Sequence, residues 1–186
     1  MDLSELNRET TCCFSGYRPY KYGFEFKSGD PNYNQLENNI LNAIIKSYKD
    51  GYRTFVCGGA MGFDLLCGEI VLMARKQFKD IKLVCMLAFE GQPNTFPQKW
   101  YDRYHAVLSE CDHIDYISKE HIPGCYYDRN KKMVNASARV ITYFDGKMGG
   151  TARTIAYAQK NKLDILNLCA EAPMPDQVTF FVGYTD

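Results

Sequence analysis

Three glycine-bearing segments carry the residue types that could hold an anion: Ser15-Gly16-Tyr17-Arg18-Pro19, Gly58-Gly59-Ala60-Met61-Gly62-Phe63-Asp64 and Asp145-Gly146-Lys147-Met148-Gly149-Gly150-Thr151. Glycine lets the backbone come close to a bound group, and a helix starting directly after such a turn aims free N–H groups and the positive end of its dipole at it. Phosphate is the guest this chemistry suits. The alternative is that the glycines only make tight turns, and finding three such segments together weighs against it.

Arg129-Asn130-Lys131-Lys132-Met133-Val134 reads as the start of a helix. An arginine there could clamp a phosphate through two parallel hydrogen bonds. Asp64 and Glu69 are the candidate catalytic carboxylates, but five residues apart on a helix they need not face the same way. For Asp64, helix capping is the simpler role.

Cys111, His113, His121 and Cys125 have short spacings that could supply four tetrahedral metal ligands. Ordinary loop use explains all four, so neither a metal nor a required cofactor is expected. Two nucleotide signatures, Gly-x-x-x-x-Gly-Lys-Ser/Thr and Gly-x-Gly-x-x-Gly, are absent, which argues against a P-loop enzyme and a standard dehydrogenase.

These loops need a scaffold that brings them to one edge. Short β-branched or apolar runs at 11–14, 54–57, 82–88, 113–117, 140–144 and 164–168 predict strands. Helical spacing predicts helices between them, through Leu36, Ile40, Ile44 and Tyr48, then Leu66, Ile70, Met73 and Ala74, then Trp100, Tyr104, Val107 and Leu108. Asp30 and Pro31 form a start signal for the first helix, and Gly51 an end signal. This alternation predicts an α/β fold: a Rossmann-like three-layer sandwich with a mainly parallel sheet and helices on both faces. Ligands of such sheets bind beyond the carboxyl ends of the strands, where all three glycine segments fall.

Two stretches break the pattern. Tyr20, Tyr22, Phe24 and Phe26 alternate with Lys21, Gly23, Glu25 and Lys27, which predicts a short extended or hairpin excursion. It is either core packing or a flap from Tyr17 to Phe26 that closes over a ligand. The tail from Pro173 contains Val178 to Val182, one more possible edge strand or an arm onto a partner.

The chain of 186 residues is long enough for one domain over 1–186, with its core at 10–168. Apolar residues make up 46% and charged residues 24%, the balance of an ordinary globule. With 22 basic and 22 acidic residues there is no overall field toward nucleic acid or anionic lipid, so neither is expected as a partner. No apolar run is long enough to span a membrane and Met1 to Thr11 is polar, so a cytoplasmic protein is expected. The eight cysteines then read as free thiols, mostly buried.

Ser15-Gly-Tyr-Arg, Cys57-Gly-Gly-Ala-Met-Gly-Phe-Asp64 with Glu69, Gln98 with Trp100, Arg129-Asn130 with Met133, and Asp145-Gly with Gly149-Gly-Thr151 resemble the YpsA-like family of the SLOG superfamily over roughly residues 10–168. That superfamily includes the Lonely Guy phosphoribohydrolases and the DNA-processing protein DprA, and the resemblance implies a Rossmann-like fold. The Lonely Guy pattern is Arg-Lys-x-x-Met followed by Pro-Gly-Gly-x-Gly-Thr-x-x-Glu, whose terminal Glu is catalytic. Arg129, Met133, Gly149, Gly150 and Thr151 fall at similar positions, but Thr154 stands where that Glu would be.

A nucleotide-derivative binder acting as sensor or regulator is therefore the first expectation. Its contacts would be Ser15, Gly16, Tyr17, Arg18, Gly58, Gly59, Ala60, Gly62, Asp64, Gln98, Arg129, Asn130, Asp145, Gly146, Gly149, Gly150 and Thr151. The alternatives are an N-glycosidic phosphoribohydrolase of the Lonely Guy type and single-stranded DNA binding of the DprA type. Enzymatic turnover is not the favoured expectation, and a homo-oligomer is open.

Overall fold

A computed structural model describes residues 6–169. The elements, in order, are β1 (Thr11–Ser15), α1 (Pro31–Lys49), β2 (Thr54–Cys57), α2 (Phe63–Arg75), β3 (Lys82–Phe89), α3 (Gln98–Glu110), β4 (His113–Ser118), α4 (Cys125–Asn135), β5 (Arg139–Thr142), α5 (Gly150–Lys160) and β6 (Asp164–Asn167). The strands form one six-stranded sheet in the order β4-β3-β2-β1-β5-β6, with every neighbouring pair parallel. The fold is thus the Rossmann-like three-layer sandwich. The expected tail strand lies outside the described residues.

Period-two alternation builds the two layers, because successive side chains of a strand point to opposite faces. Cys12, Phe55, Leu83 and Cys85 join one core with α1, α2 and α3. Their neighbours Cys13, Val56, Val84 and Met86 join another with Met133 and Val134 of α4 and Ile155 and Ala158 of α5. All eight cysteines are free, and seven are buried. Among the described residues no helix is long and apolar enough to cross a membrane.

α1 starts as its sequence signals direct: Asp30 accepts hydrogen bonds from the N–H groups of Asn32 (2.8 Å) and Tyr33 (3.2 Å), with Pro31 following. α2 departs from its expected single face, since it is covered by α1, α3 and the sheet, while Met73 is 50% exposed. α4 begins at Cys125 rather than at Arg129, with Gly124 in the left-handed region (φ +85) before it. No side-chain cap announces that start.

The Tyr20–Phe26 excursion is neither a strand nor a hairpin. It opens with a 3₁₀ turn at Pro19–Lys21 and continues as bends. Tyr17 and Phe26 are buried, and Tyr22 packs against Phe24, Phe26 and Tyr143 with ring centroids 4.9–5.0 Å apart. Most of the stripe is therefore wall and core, and Tyr20 is its exposed exception at 77%.

Strand order reverses between β1 and β5. The helix after β1 packs on one face and that after β5 on the other, so their loops diverge and leave a crevice at the carboxyl ends of the strands.

Candidate functional site

Tyr17 ties the first loop to the third. Its hydroxyl donates to the Asp145 carboxylate, and the Asp145 N–H donates back to the hydroxyl oxygen at 3.3 Å. Thr151, in the first turn of α5, adds a bond from its hydroxyl to the Gly16 carbonyl at 3.1 Å. The second loop joins through the Phe63 N–H, which donates to the Tyr17 carbonyl at 3.1 Å. That contact needs two glycines: a Cβ on Gly16 would stand 2.3 Å from the Phe63 ring, and Gly62, at φ +95, would meet the Tyr17 carbonyl at 2.5 Å.

The resulting cleft, about 230 Å³, is lined by Ser15, Gly16, Tyr17, Arg18, Ala60, Asp64, Arg129, Asn130, Gly150 and Thr151 from the four expected segments. Phe14, Tyr20, Lys21 and Tyr126 complete it. Its volume is below the ~300–1,000 Å³ of pockets that enclose a whole drug-sized ligand.

Arg129 is only 4% exposed. Its guanidinium donates to the Gly58 carbonyl and lies 3.8 Å from Asp64, while its Nε has no hydrogen-bond partner among the described residues. Burial pushes the Asp64 carboxyl up from the usual carboxylate range, against the pull of Arg129 and Arg18. Burial also lowers Arg129, with Asp64 opposing. Among the described residues neither Arg18 nor Lys21 has a carboxylate at ion-pair distance, so three cations face one acid. Asp145 differs: burial raises it, but hydrogen bonds from Lys147 and Tyr17 outweigh that and hold it below the ordinary value.

Several expected contacts fall elsewhere. Gly58 and Gly59 face protein: a Cβ on Gly58 would meet the Arg129 guanidinium at 2.0 Å, and one on Gly59 the Leu87 side chain at 2.6 Å. Gln98 reaches along α3 to Asp102 at 2.7 Å, exposed and away from the cleft. Glu69 is held by both arms of Arg103 at 2.6 Å, so the two candidate catalytic carboxylates do point apart. Asp64 does not cap α2, whose N-cap is Gly62; one of its oxygens instead accepts the Ala60 N–H at 3.5 Å. Asp145 lines a neighbouring concavity, and Gly149 sits under the Lys21 ammonium, 3.3 Å from where a Cβ would stand. Gly146, at φ +92, belongs to the same turn but lines neither cavity.

The four metal candidates are divided by a strand. Cys111 and His113 stand at the start of β4 and His121 and Cys125 beyond its end, roughly 20 Å apart at ~3.3 Å per residue. No group of three or more potential ligands occurs among the described residues.

Sequence reasoning missed Gln92, which is 1% exposed. Its amide donates to the Gly59 carbonyl at 2.9 Å and the Gly58 carbonyl at 3.3 Å, and its oxygen accepts the Ala88 N–H at 2.9 Å. It shapes the second loop from below. Its position in the loop after the third strand was the available signal. Thr154, buried at 4% exposure, donates to the Gly150 carbonyl at 3.0 Å and accepts from Asn130 at 2.8 Å. It braces the cleft without lining it.

The family model described as the YspA SLOG family matches residues 12–168. UPF0398 proteins of Bacillus cereus and Bacillus thuringiensis are 24% identical over 155 residues, covering 82% of this chain and 84% of theirs. Among solved structures, DNA processing protein A of Helicobacter pylori, described for its single-stranded DNA binding mode, aligns with a TM-score of 0.59 at 18% identity, over 89% of this chain and 68% of that one. The Streptococcus pneumoniae protein of the same name aligns with a TM-score of 0.58 at 14% identity, over 86% of this chain and half of its own. At these identities the two structures speak to the fold alone.

Proposed function

Because the chain belongs to the YspA SLOG family, we propose that it binds a nucleotide or nucleotide derivative as a sensor or regulator, with a phosphate seated in the cleft at the β1–β5 reversal. The observation that carries this reading is the convergence there of Arg18, Lys21 and Arg129 with the first turn of α5, against Asp64 alone. A dianionic phosphate would balance that excess and meet the free N–H groups of a helix start. The contacts proposed are the residues that line the cleft, with Gly150 and Thr151 rather than Gly58 and Gly59 against the phosphate.

Calorimetric titration with ribose 5-phosphate and a panel of nucleoside mono- and diphosphates tests the reading. Saturable binding is expected, and its absence for every member overturns it. Free base released from nucleoside 5′-monophosphates is expected to accumulate far more slowly than about 1 per second, because Thr154 cannot serve as a carboxylate base. Chromatography that detected release at that rate would favour the phosphoribohydrolase instead.

The likeness to DNA processing protein A supports a second reading, single-stranded DNA along the same cations. It reopens a partner that the balanced overall charge argued against. Oligonucleotide binding that weakens steeply with salt would favour it over a single seated phosphate.

A further inference from the structure

A second concavity, about 460 Å³, lies beside the cleft. Its polar lining includes a row of carboxamides, Asn32, Gln35 and Asn39, which share one side of α1 by their spacing. Gln35 donates to Asn39 at 2.9 Å. Its apolar lining includes Tyr22, Phe24 and Tyr143, whose rings cluster at centroid distances of 5.0 Å. Lys147 is paired with Asp145 at 2.7 Å. Lys21 lines both cavities, and the Tyr17–Asp145 hydrogen bond joins a residue of one lining to a residue of the other.

We propose that this concavity is a nucleobase subsite, taking the heterocycle of a ligand whose phosphate lies past Lys21 in the cleft; that last placement rests on the proposed function. Each carboxamide offers both a donor and an acceptor, the pairing that matches the edge of a base, and aromatic rings provide stacking surface for a planar heterocycle. The charges point the same way. Beyond Lys21, which the two cavities share, the cleft adds Arg18 and Arg129 against Asp64, whereas this concavity adds only Lys147, neutralised by Asp145, which suits an uncharged ring better than a second phosphate. Cleft and subsite together reach the ~300–1,000 Å³ of pockets that enclose a whole ligand, which the cleft by itself does not.

Nucleosides carry no phosphate and so read this subsite independently of the cleft. Adenosine, guanosine, cytidine and uridine are titrated into the full chain and followed by NMR. At least one is expected to bind saturably, to weaken at least tenfold in Gln35→Leu/Asn39→Leu, and to change less than twofold in Gly150→Val. Ribose 5-phosphate should show the reverse pattern. Leucine is a good helix former at these α1 positions, and the corresponding double alanine variant serves if the leucines impair folding. If no nucleoside binds up to its solubility limit, or if a folded double variant binds as the wild type does, the subsite is overturned. Ribose 5-phosphate binding that Gly150→Val abolishes would still leave the cleft standing.

Discussion

Two buried arginines occupy opposite ends of the sheet and are satisfied in opposite degrees. Arg139, at the start of β5, donates from Nε to Asp164 at 2.7 Å, holds one terminal nitrogen 2.6 Å from the same carboxylate as an ion pair, and donates from the other to Asp50 at 2.7 Å and Ser47 at 3.0 Å. Its guanidinium also lies 4.4 Å over the Tyr52 ring. Every nitrogen is used, and the pairs clamp the end of α1 and the start of β6 to the strand. Arg129, at the carboxyl end, has one carbonyl, a carboxylate at 3.8 Å and an Nε with no partner among the described residues. A saturated buried charge holds a fold together, whereas an under-satisfied one is costly unless something else completes it. The contrast separates a saturated end of the sheet from the end at which the proposed ligand would bind.

The strongest test of this contrast is at the receiving end. Gly150→Val is expected to weaken phosphate-ligand affinity by about 100-fold, or about 2.7 kcal/mol, while Tm moves by no more than a few degrees. Nothing lies within 4 Å of a Cβ at Gly150, and its φ is not in the left-handed region, so the protein tolerates a side chain that the phosphate would not. Calorimetry beside thermal melting measures both, and unchanged affinity in the folded variant would break the comparison.

At the structural end the pattern should invert. Arg139→Ala is expected to lower Tm by roughly 5–10 °C, because three hydrogen bonds, a further ion-pair contact and the ring contact vanish together, while ligand affinity stays within about threefold. A melting temperature within 1 °C of the wild type would show that Arg139 holds nothing.

The smallest expected effect is a difference in pH dependence between the two partner aspartates. Asp50 is held below the usual carboxylate range by hydrogen bonds from Lys46 and Arg139. Its stabilising contribution is present above the unfolded value near 3.8 and is lost as pH falls through the lower folded value. Asp64 is raised, chiefly by burial, so its contribution is full below the unfolded value and is lost as pH rises through the folded one. Asp50→Asn should therefore be most destabilised near neutrality and approach the wild type in acid. Asp64→Asn should gain on the wild type as pH rises from the unfolded value near 3.8 toward neutrality. Melting curves across that range check both signs, and parallel profiles would erase the distinction.

The strands were legible because each is a short β-branched or apolar run, as a strand buried on both faces requires. The expectation at 54–57 matches β2, and the one at 82–88 ends a single residue before β3 does. The cleft was partly legible, since loops after strands must gather at one edge and their glycines and arginines announce themselves. Gln98 and Gln92 show where such reading stops. Both are polar and lie between the third and fourth strands, but one is exposed and the other sits under the second loop, and no local spacing distinguishes them. The start of α4 was hidden for a related reason: Gly124 in a left-handed turn replaces the side-chain cap that would have marked it, so Arg129 lies within the helix rather than at its head.

By itself the sequence determined the alternation of strands and helices, the two apolar faces of the sheet and the loops that bear the chemistry. These depend on periodicity and on residue type within a few positions. Tertiary structure alone decided which glycines stay open and which are filled, because Gly58 and Arg129 are 71 residues apart and meet only when α4 packs beside β3. It also decided that β1 and β5 are neighbours, which creates the cleft. Pairing between distant strands follows from how the whole core packs, and no local stretch of the chain encodes it.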